Sequence, residues 1–222
     1  MRNSRHLREA SYFHCGKVAK HLQRKCALRA TWGTLSLGLC DLFPGKPCLY
    51  FLNLRDPVQR AFSEYNYFCV HGAENRKKWL PDWHKQGFCP LTVVEYLQLY
   101  PEVCSILTNR LSRGCGTQCA LKAAKLNLNN TCVRYFFLHS LSSDVAQFAG
   151  LVGGTLGTAL ANVASGHVVK NSSPRNERTE LQRRDPQVVK RVKELVHLDI
   201  ELFNYAIKIH PAKLLQPLTS CN

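Results

Sequence analysis

The stretch YFLNLRDPVQRAFSEYNY, residues 50–67, joins an apolar run to an amphipathic one. Residues 48–54 (CLYFLNL) are apolar on both faces, which is typical of a buried parallel strand. Asp56 is a favourable N-cap, and Pro57 suits the first helical position because no N–H is needed there. Apolar side chains then recur at helical spacing, so we predict a helix from Pro57 to about Val70.

Further elements follow along the chain. Residues 133–139 (VRYFFLH) form a second apolar run of strand length. Residues 165–184 are polar and basic, and we predict a surface loop there. Helical spacing, with Asp-Pro as a start signal for the last segment, predicts helices over residues 92–99, 118–126 and 185–209.

Apolar strands that alternate with helices indicate an α/β fold. We predict three layers, with a P-loop-like parallel sheet flanked by helices. The domain is placed at residues 11–210, between a disordered N-terminal tail (1–10) and a C-terminal tail (211–222).

The composition restricts the class of partner. The chain has 222 residues, 45% of them hydrophobic, and a formal net charge of +15. Such basicity favours anionic partners, among them nucleic acid, phosphorylated cofactors, acidic lipid and sulfated polysaccharide. No zinc-finger, helix-turn-helix or RNA-binding signature is present, so we expect no nucleic-acid partner. The absence of GxxxxGK[ST] disfavours a P-loop kinase.

Eleven cysteines are many for a cytosolic enzyme. No CxxC pair or Cys/His ligand spacing occurs, so we predict no metal site. Disulfide bonds in an oxidising lumen are the favoured interpretation, and free cytosolic thiols are the alternative. Glycosylation sequons at Asn129 and Asn171 agree with a secretory route.

No membrane-targeting segment is visible. The N-terminal residues lack an apolar h-region, so we expect any membrane anchor to be missing from this chain. Residues 145–164 carry no charge, but their glycines and polar side chains would make insertion unfavourable. A small-residue helix or loop packed in the domain is the favoured interpretation.

Arg55 lies where the predicted strand meets the predicted helix. Ligands of parallel α/β sheets collect at such junctions, and the N–H groups of a helix N-terminus favour anions. The Arg55 guanidinium adds a bidentate phosphate donor. Ser63 adds a hydroxyl on the helix face that it shares with Arg60. For an isolated Arg-Asp-Pro, an arginine paired with a carboxylate is the alternative interpretation.

The motif R-D-P-V-x-R-x-x-S-E-Y-x-Y, residues 55–67, resembles the 3′-phosphate-binding segment of Golgi carbohydrate sulfotransferases. The resemblance implies that Arg55 and Ser63 hold the 3′-phosphate of the sulfate donor, 3′-phosphoadenosine 5′-phosphosulfate. Weaker similarity covers most of the chain from about residue 11. Residues 169–206 resemble the end of heparan sulfate 6-O-sulfotransferase-like proteins.

A second donor segment matches in part. Relatives have a strand ending in F-H-x-x-K, then a threonine, two small residues and a threonine, which wrap the 5′-phosphosulfate. Phe13, His14, Gly16 and Lys17 match the first half. Gly16 and Lys17 are thus implied donor ligands, and Lys17 would also neutralise the leaving phosphate. Residues 18–21 (VAKH) depart from the second half.

The catalytic base departs from the family pattern as well. Relatives have a histidine ahead of the central strand, where Thr34 and Cys40 stand here, and neither is a good base for a sugar hydroxyl. His14 and His71 are the nearest substitutes. We assign the role to His14 because it borders the donor loop.

The resemblance implies transfer of a sulfuryl group to a carbohydrate of the heparan sulfate type, in the Golgi lumen. Arg76, Lys77 and Lys78 are the candidate ligands of the acidic glycan; a solvated basic surface is the alternative. A relative that binds nucleotide or glycosaminoglycan without turnover is the alternative function. A second basic cluster of four arginines would hold the acidic glycan as well: Arg175, Arg178, Arg183 and Arg184.

Overall fold

The structure is a computed structural model, and it describes residues 50–70, 91–112, 117–154, 157–158, 161–162 and 176–215. Within these ranges the strands are β1 (Tyr50–Leu54) and β2 (Val133–Phe137). The helices are α1 (Pro57–Tyr65), α2 (Val93–Leu99), α3 (Pro101–Cys104), α4 (Ile106–Leu111), α5 (Thr117–Asn129), α6 (Leu141–Val152), α7 (Glu177–Arg184), α8 (Pro186–Leu195) and α9 (His197–Leu215).

The two strands pair in parallel, as the sequence predicts. Tyr50 lies opposite Val133 and Leu54 opposite Phe137. Backbone hydrogen bonds extend the ladder at both ends, and the N–H of Leu138 donates to the carbonyl of Leu54 at 2.9 Å. Because the described ranges hold these two strands and no third, the three-layer architecture stays a prediction.

The two strands differ in burial. Every residue of β2 is buried, which confirms the prediction for that strand. In β1 the burial alternates, and Phe51 remains 41% exposed. The Phe51 ring still stacks on Phe136 at 6.0 Å and meets Phe148 edge-on at 5.5 Å. The prediction that β1 is buried on both faces is therefore wrong for the described part of that strand.

Helix α1 begins where the sequence predicts. The side chain of Asp56 accepts a hydrogen bond from the N–H of Gln59 at 2.8 Å, and Pro57 takes the first helical position. After Tyr65 the chain continues as one π-helical turn, Asn66–Val70. The predicted helical extent is confirmed, with a wider last turn.

Two hydrophobic clusters lie on either side of the β1–α1 junction. The first packs β1 and β2 against α5 and α9, with Leu54, Tyr135 and Phe137 among its buried members. The second packs α1 against α2 and α8, with Phe62 and Tyr65 among its buried members. Because Leu54 belongs to one cluster and α1 to the other, residues 55 and 56 are positioned from both sides.

The surface loop predicted over residues 165–184 is wrong for its last eight residues, because residues 177–184 form helix α7, while residues 165–175 lie outside the described residues. The side chain of Asn176 caps this helix by accepting from the N–H of Thr179 at 3.3 Å. Acidic residues occupy the first turn and Arg183 and Arg184 the last, an order that complements the helix dipole.

The long C-terminal helix predicted for residues 185–209 is interrupted. Helices α8 and α9 meet at Val196, and the Nδ1 of His197 donates to the carbonyl of Glu194 at 2.9 Å. This side-chain donor satisfies a carbonyl at the end of α8 and so stabilises the break. Helix α9 continues past Pro211 to Leu215, beyond the predicted domain boundary at residue 210.

Residues 141–152 form helix α6, which packs Val145, Phe148 and Ala149 into the protein and ends at Gly153. Among the described helices, none is both long and apolar enough to cross a bilayer. Cys69 and Cys119 are disulfide-bonded, whereas Cys104 is a buried free thiol.

Candidate anion-binding site

Arg55 lies between the last residue of β1 and the cap of α1, at the edge where both parallel strands end. The hydrogen bond between Leu54 and Leu138 fixes this edge, and the Asp56 cap fixes the helix that follows. The sequence predicts this placement, and the structure confirms it. A ligand at this edge would meet the side chain of Arg55 at the start of α1.

The backbone of α1 offers less to an anion than the sequence suggests. Asp56 already accepts the N–H of Gln59, and Pro57 has no N–H to give. The N–H of Arg60 donates to the carbonyl of Asp56 at 2.8 Å, in the first helical hydrogen bond. Asp56 also places a carboxylate at the positive end of the helix. Binding of an anion at this end therefore depends mainly on side-chain donors.

The guanidinium of Arg55 is half-buried and incompletely paired. Its Nε is buried, and no group in the described part of the chain accepts a hydrogen bond from it. Burial is the main cause that lowers the pKa of Arg55; the positive charge of Arg183 acts in the same direction, and Asp56 opposes them. The surroundings therefore disfavour the charged guanidinium of Arg55. A bound anion would compensate that charge.

Arg183 is the residue that sequence reasoning places elsewhere, in the basic cluster assigned to the glycan. Its guanidinium carbon lies 5.5 Å from the centre of the Phe62 ring, so it rests against α1. Its Nη1 contacts the carboxylate of Glu180 at 3.1 Å, while its buried Nε has no acceptor among the described residues. No local sequence signal pairs it with Arg55, because the two residues are far apart in the chain.

Helix α7, which carries Arg183, is held against α1 and α2 by polar contacts. The hydroxyl of Thr179 donates to the side-chain oxygen of Asn66 at 3.2 Å, and both residues are buried. The N–H of Val93 donates to the side chain of Gln182 at 2.8 Å. The carbonyl of Leu91 accepts from three side chains: Tyr65, Arg178 and Gln182.

Ser63 lies in α1, as the sequence predicts, and its side chain is half-buried. Six residues of helix separate it from Pro57, a rise of about 9 Å, and no contact between Ser63 and Arg55 is seen. Arg60, on the same face, is engaged elsewhere: it contacts Glu64 at 3.2 Å and Asp199 at 3.0 Å. Arg60 is thus a structural residue here rather than an anion ligand.

Several predicted site residues lie outside the described residues. These are His14, Gly16 and Lys17 of the second donor segment, and Arg76, Lys77 and Lys78 of the first basic cluster. Of the predicted donor ligands, Arg55 and Ser63 are described. Within the described ranges, no group of three or more His, Cys, Asp or Glu side chains is placed to hold a metal ion.

Comparison with protein-family models, with curated proteins and with solved structures finds no significant match.

Proposed function

We propose that the chain is a sulfotransferase that moves a sulfuryl group from 3′-phosphoadenosine 5′-phosphosulfate to a carbohydrate hydroxyl, on a glycan of the heparan sulfate type. One observation carries the proposal. Arg55 is half-buried at the carboxyl end of a parallel strand, and its buried Nε has no hydrogen-bond acceptor among the described residues. A buried donor without an acceptor is unfavourable, and a phosphate oxygen is a strong acceptor for it.

In the proposed reaction, the acceptor hydroxyl oxygen bonds to sulfur while the bond from sulfur to the 5′-phosphate oxygen breaks. The hydroxyl proton passes to a base, and the nucleotide leaves as adenosine 3′,5′-bisphosphate. The group in flight spreads its charge over several oxygens, so positioning and electrostatic stabilisation supply most of the catalysis, as in phosphoryl transfer. Arg55 and Ser63 hold the 3′-phosphate, and Gly16 and Lys17 hold the phosphosulfate.

The remaining roles fall on residues assigned from the sequence. His14 takes the hydroxyl proton, and Arg76, Lys77 and Lys78 bind the acidic glycan near the transferred group. The active protein belongs in an oxidising lumen of the Golgi type, in keeping with the disulfide bonds of Cys69 and Cys119.

Binding of the product nucleotide tests the donor site. Calorimetric titration of the full chain with adenosine 3′,5′-bisphosphate should show affinity that falls at least about tenfold in Arg55→Ala, as expected for one charge-assisted hydrogen bond. Arg191→Ala is the control, since Arg191 is half-exposed and pairs with Glu194 on its own helix. Equal affinity in Arg55→Ala and the wild type would remove the centre of the proposal.

Transfer of radiolabelled sulfate to desulfated heparin tests the reaction. Loss of a general base typically slows the chemical step about 10²–10⁴-fold, so His14→Ala should abolish most of the transfer and His71→Ala should not. Transfer that survives both substitutions would show that another group is the base.

A binding protein without turnover is the second candidate. Residues 18–21 lack the small and hydroxyl side chains of the family loop, and Thr34 and Cys40 stand where relatives have a histidine. Bisphosphate binding that depends on Arg55, together with no detectable sulfate transfer, would favour this function over the enzyme.

A further inference from the structure

The turn between α5 and β2 contains one of the two glycosylation sequons, Asn129-Asn130-Thr131. Asn129 is the last residue of α5, and β2 begins at Val133, so the acceptor asparagine lies where the helix ends. Asn129 and Asn130 are both exposed. Thr131 supplies the hydroxyl that a sequon requires two residues after its asparagine, whereas Asn130 has Cys132 at that position. Asn129 is therefore the acceptor, and it lies on the surface, as attachment of a bulky sugar requires.

Asn129 differs from the neighbouring asparagines in its hydrogen bonding. The Nδ2 of Asn127 donates to the carbonyl of Leu111 at 2.6 Å, and the Oδ1 of Asn130 accepts the N–H of Cys132 at 2.8 Å. Among the described residues, none forms a hydrogen bond with the carboxamide of Asn129. Of these three asparagines, Asn129 is thus the one whose side chain is not held by another part of the described chain.

The backbone of the turn is held independently of that side chain. The ammonium group of Lys213 in α9 donates to the carbonyl oxygen of Asn129, at 2.9 Å, and to that of Asn130. Lys213 is buried, so this contact fixes the end of α5 from inside the protein. Because both acceptors are main-chain oxygens, a substituent on the side-chain nitrogen of Asn129 leaves the contact intact.

The turn lies at the edge of the sheet opposite the anion site. At the amino ends of the strands, Tyr50 lies opposite Val133, and its N–H donates to the carbonyl of Cys132 at 2.9 Å. Arg55 follows Leu54 at the carboxyl end of β1. The length of the strand between the two edges is about 13 Å. A sugar on the turn is therefore attached on the far edge of the sheet from the anion site.

We infer that Asn129 is a site of N-linked glycosylation and that Asn130 is not. The inference rests on the proposed function for the lumenal location alone. The donor is a lipid-linked pyrophosphoryl oligosaccharide, supplied by the glycosylation machinery of the secretory route. The Nδ2 of Asn129 bonds to the anomeric carbon of the first sugar, while the bond from that carbon to the pyrophosphate oxygen breaks. Nδ2 loses one proton, and the lipid pyrophosphate leaves.

Peptide mass spectrometry tests the inference on the full chain, secreted from mammalian cells behind a cleavable signal peptide. Peptide N-glycosidase converts a glycosylated asparagine into aspartate, so we expect aspartate at position 129 and asparagine at position 130. A digest without the glycosidase controls for spontaneous deamidation. Asparagine at position 129 after the glycosidase treatment would overturn the inference.

Two substitutions of the sequon threonine provide matched variants. Thr131→Ala keeps the acceptor asparagine but removes the hydroxyl, so it should lose one glycan on denaturing gel electrophoresis, as Asn129→Gln should. Thr131→Ser keeps the hydroxyl and should keep the glycan. Asn171→Gln is present in every protein compared, because the second sequon lies outside the described residues. A glycan that survives Thr131→Ala would contradict the assignment.

Misfolding of a variant does not hide the result. Glycans are added before secretion, so the chains retained inside the cell are analysed together with the secreted ones. A variant that is retained but still carries the glycan counts as glycosylated, and one that is retained without it counts as unmodified. Retention of Thr131→Ser without a glycan would therefore contradict the inference.

The outcomes separate this inference from the proposed function. Because the turn lies on the far edge of the sheet from Arg55, Asn129→Gln should bind adenosine 3′,5′-bisphosphate as the wild type does in calorimetry. If Asn129 is unmodified while binding depends on Arg55, the inference fails and the proposed function stands. A glycan at Asn129 in a protein that binds no bisphosphate would leave the inference in place and overturn the proposed function.

Discussion

The guanidinium of Arg60 and the carboxylate of Asp199, 139 residues apart in the chain, meet at 3.0 Å between Nη2 and Oδ2. Asp199 is fully buried, and it also accepts the N–H of Leu107 at 3.1 Å and both the N–H and the hydroxyl of Thr108, at 2.8 and 2.6 Å. The carboxylate therefore joins α1, α4 and α9. Because Arg60 lies one turn beyond Pro57, this network also holds the helix that follows Arg55.

Removing the buried partner should destabilise the protein strongly. We expect Asp199→Ala to lower the free energy of unfolding by about 3–5 kcal/mol, because it leaves a half-buried guanidinium and several donors without their acceptor. The control is Glu201→Ala on the same helix. Glu201 contacts Lys125 at a shorter 2.6 Å, but the two side chains are 56% and 30% exposed, so its loss should be under about 1 kcal/mol. Urea unfolding measures both, and equal losses would contradict the assigned role of the network.

Glu64 should make stability depend on pH. Burial is the main cause that raises the pKa of Glu64 above its ordinary 4.5, although Arg60 and Arg110 oppose it. Since the folded protein holds this proton more tightly than the unfolded chain, the stability is fully present below about pH 4.5 and is lost as pH rises through the folded pKa.

Glu64→Gln removes this dependence because the amide does not ionise. Its stability relative to wild type should increase as pH rises above 4.5, by at most about 1.4 kcal/mol per pH unit. Urea unfolding of both proteins between pH 4 and 7 provides the measurement. Glu201→Gln, at an exposed position, serves as the control. A difference between Glu64→Gln and wild type that stays constant with pH would rule out the buried titration.

The β1–α1 junction could be predicted because its signals are local. An apolar run, an N-cap, a proline at the first helical position and helical spacing all fall within residues 48–70. The sequence predicts a loop where helix α7 lies, because its polar composition outweighs the Asn176 cap and the acidic-to-basic charge order. Hydrophobic periodicity reveals a helix only when one of its faces is buried and apolar. The buried residue of α7 is the polar Thr179, so the helix has no clear apolar pattern.

The partners of Arg55 and Arg60 could not be predicted from the sequence. Arg60 pairs with Asp199 because α9 packs against α1, and Arg183 reaches the Phe62 ring because α7 packs there, from where its charge helps to lower the pKa of Arg55. Motif spacing gives no information on such contacts between distant segments. The resemblance placed Arg60 within the donor-site motif, and the structure gives it a structural role there.

Two glycines of one segment should respond oppositely to alanine. Gly150 lies inside α6, and a Cβ there would meet nothing within 4 Å; alanine should therefore stabilise the protein by about 0.5–1 kcal/mol. Gly153 ends the helix with φ 63° and ψ −170°, a region adopted almost only by glycine, so alanine should cost about 1–3 kcal/mol. Thermal unfolding of the two variants checks the signs. A stabilising Gly153→Ala would mean that the helix ends elsewhere.

Cys104 should react slowly with alkylating reagents in the native protein. Its thiol is buried and donates to the carbonyl of Leu97 at 3.4 Å, and burial is the main cause that raises its pKa to about 11. Only the thiolate is the nucleophile, so about one molecule in a thousand is reactive at pH 8.

The native rate of iodoacetamide modification, followed by mass spectrometry, should rise about tenfold per pH unit between pH 7.5 and 9.5 without levelling off. The same cysteine in urea should level off near its ordinary pKa of 9.0. A native rate that reaches a plateau by pH 9 would show that the thiol is not buried as the packing of α2 and α3 requires.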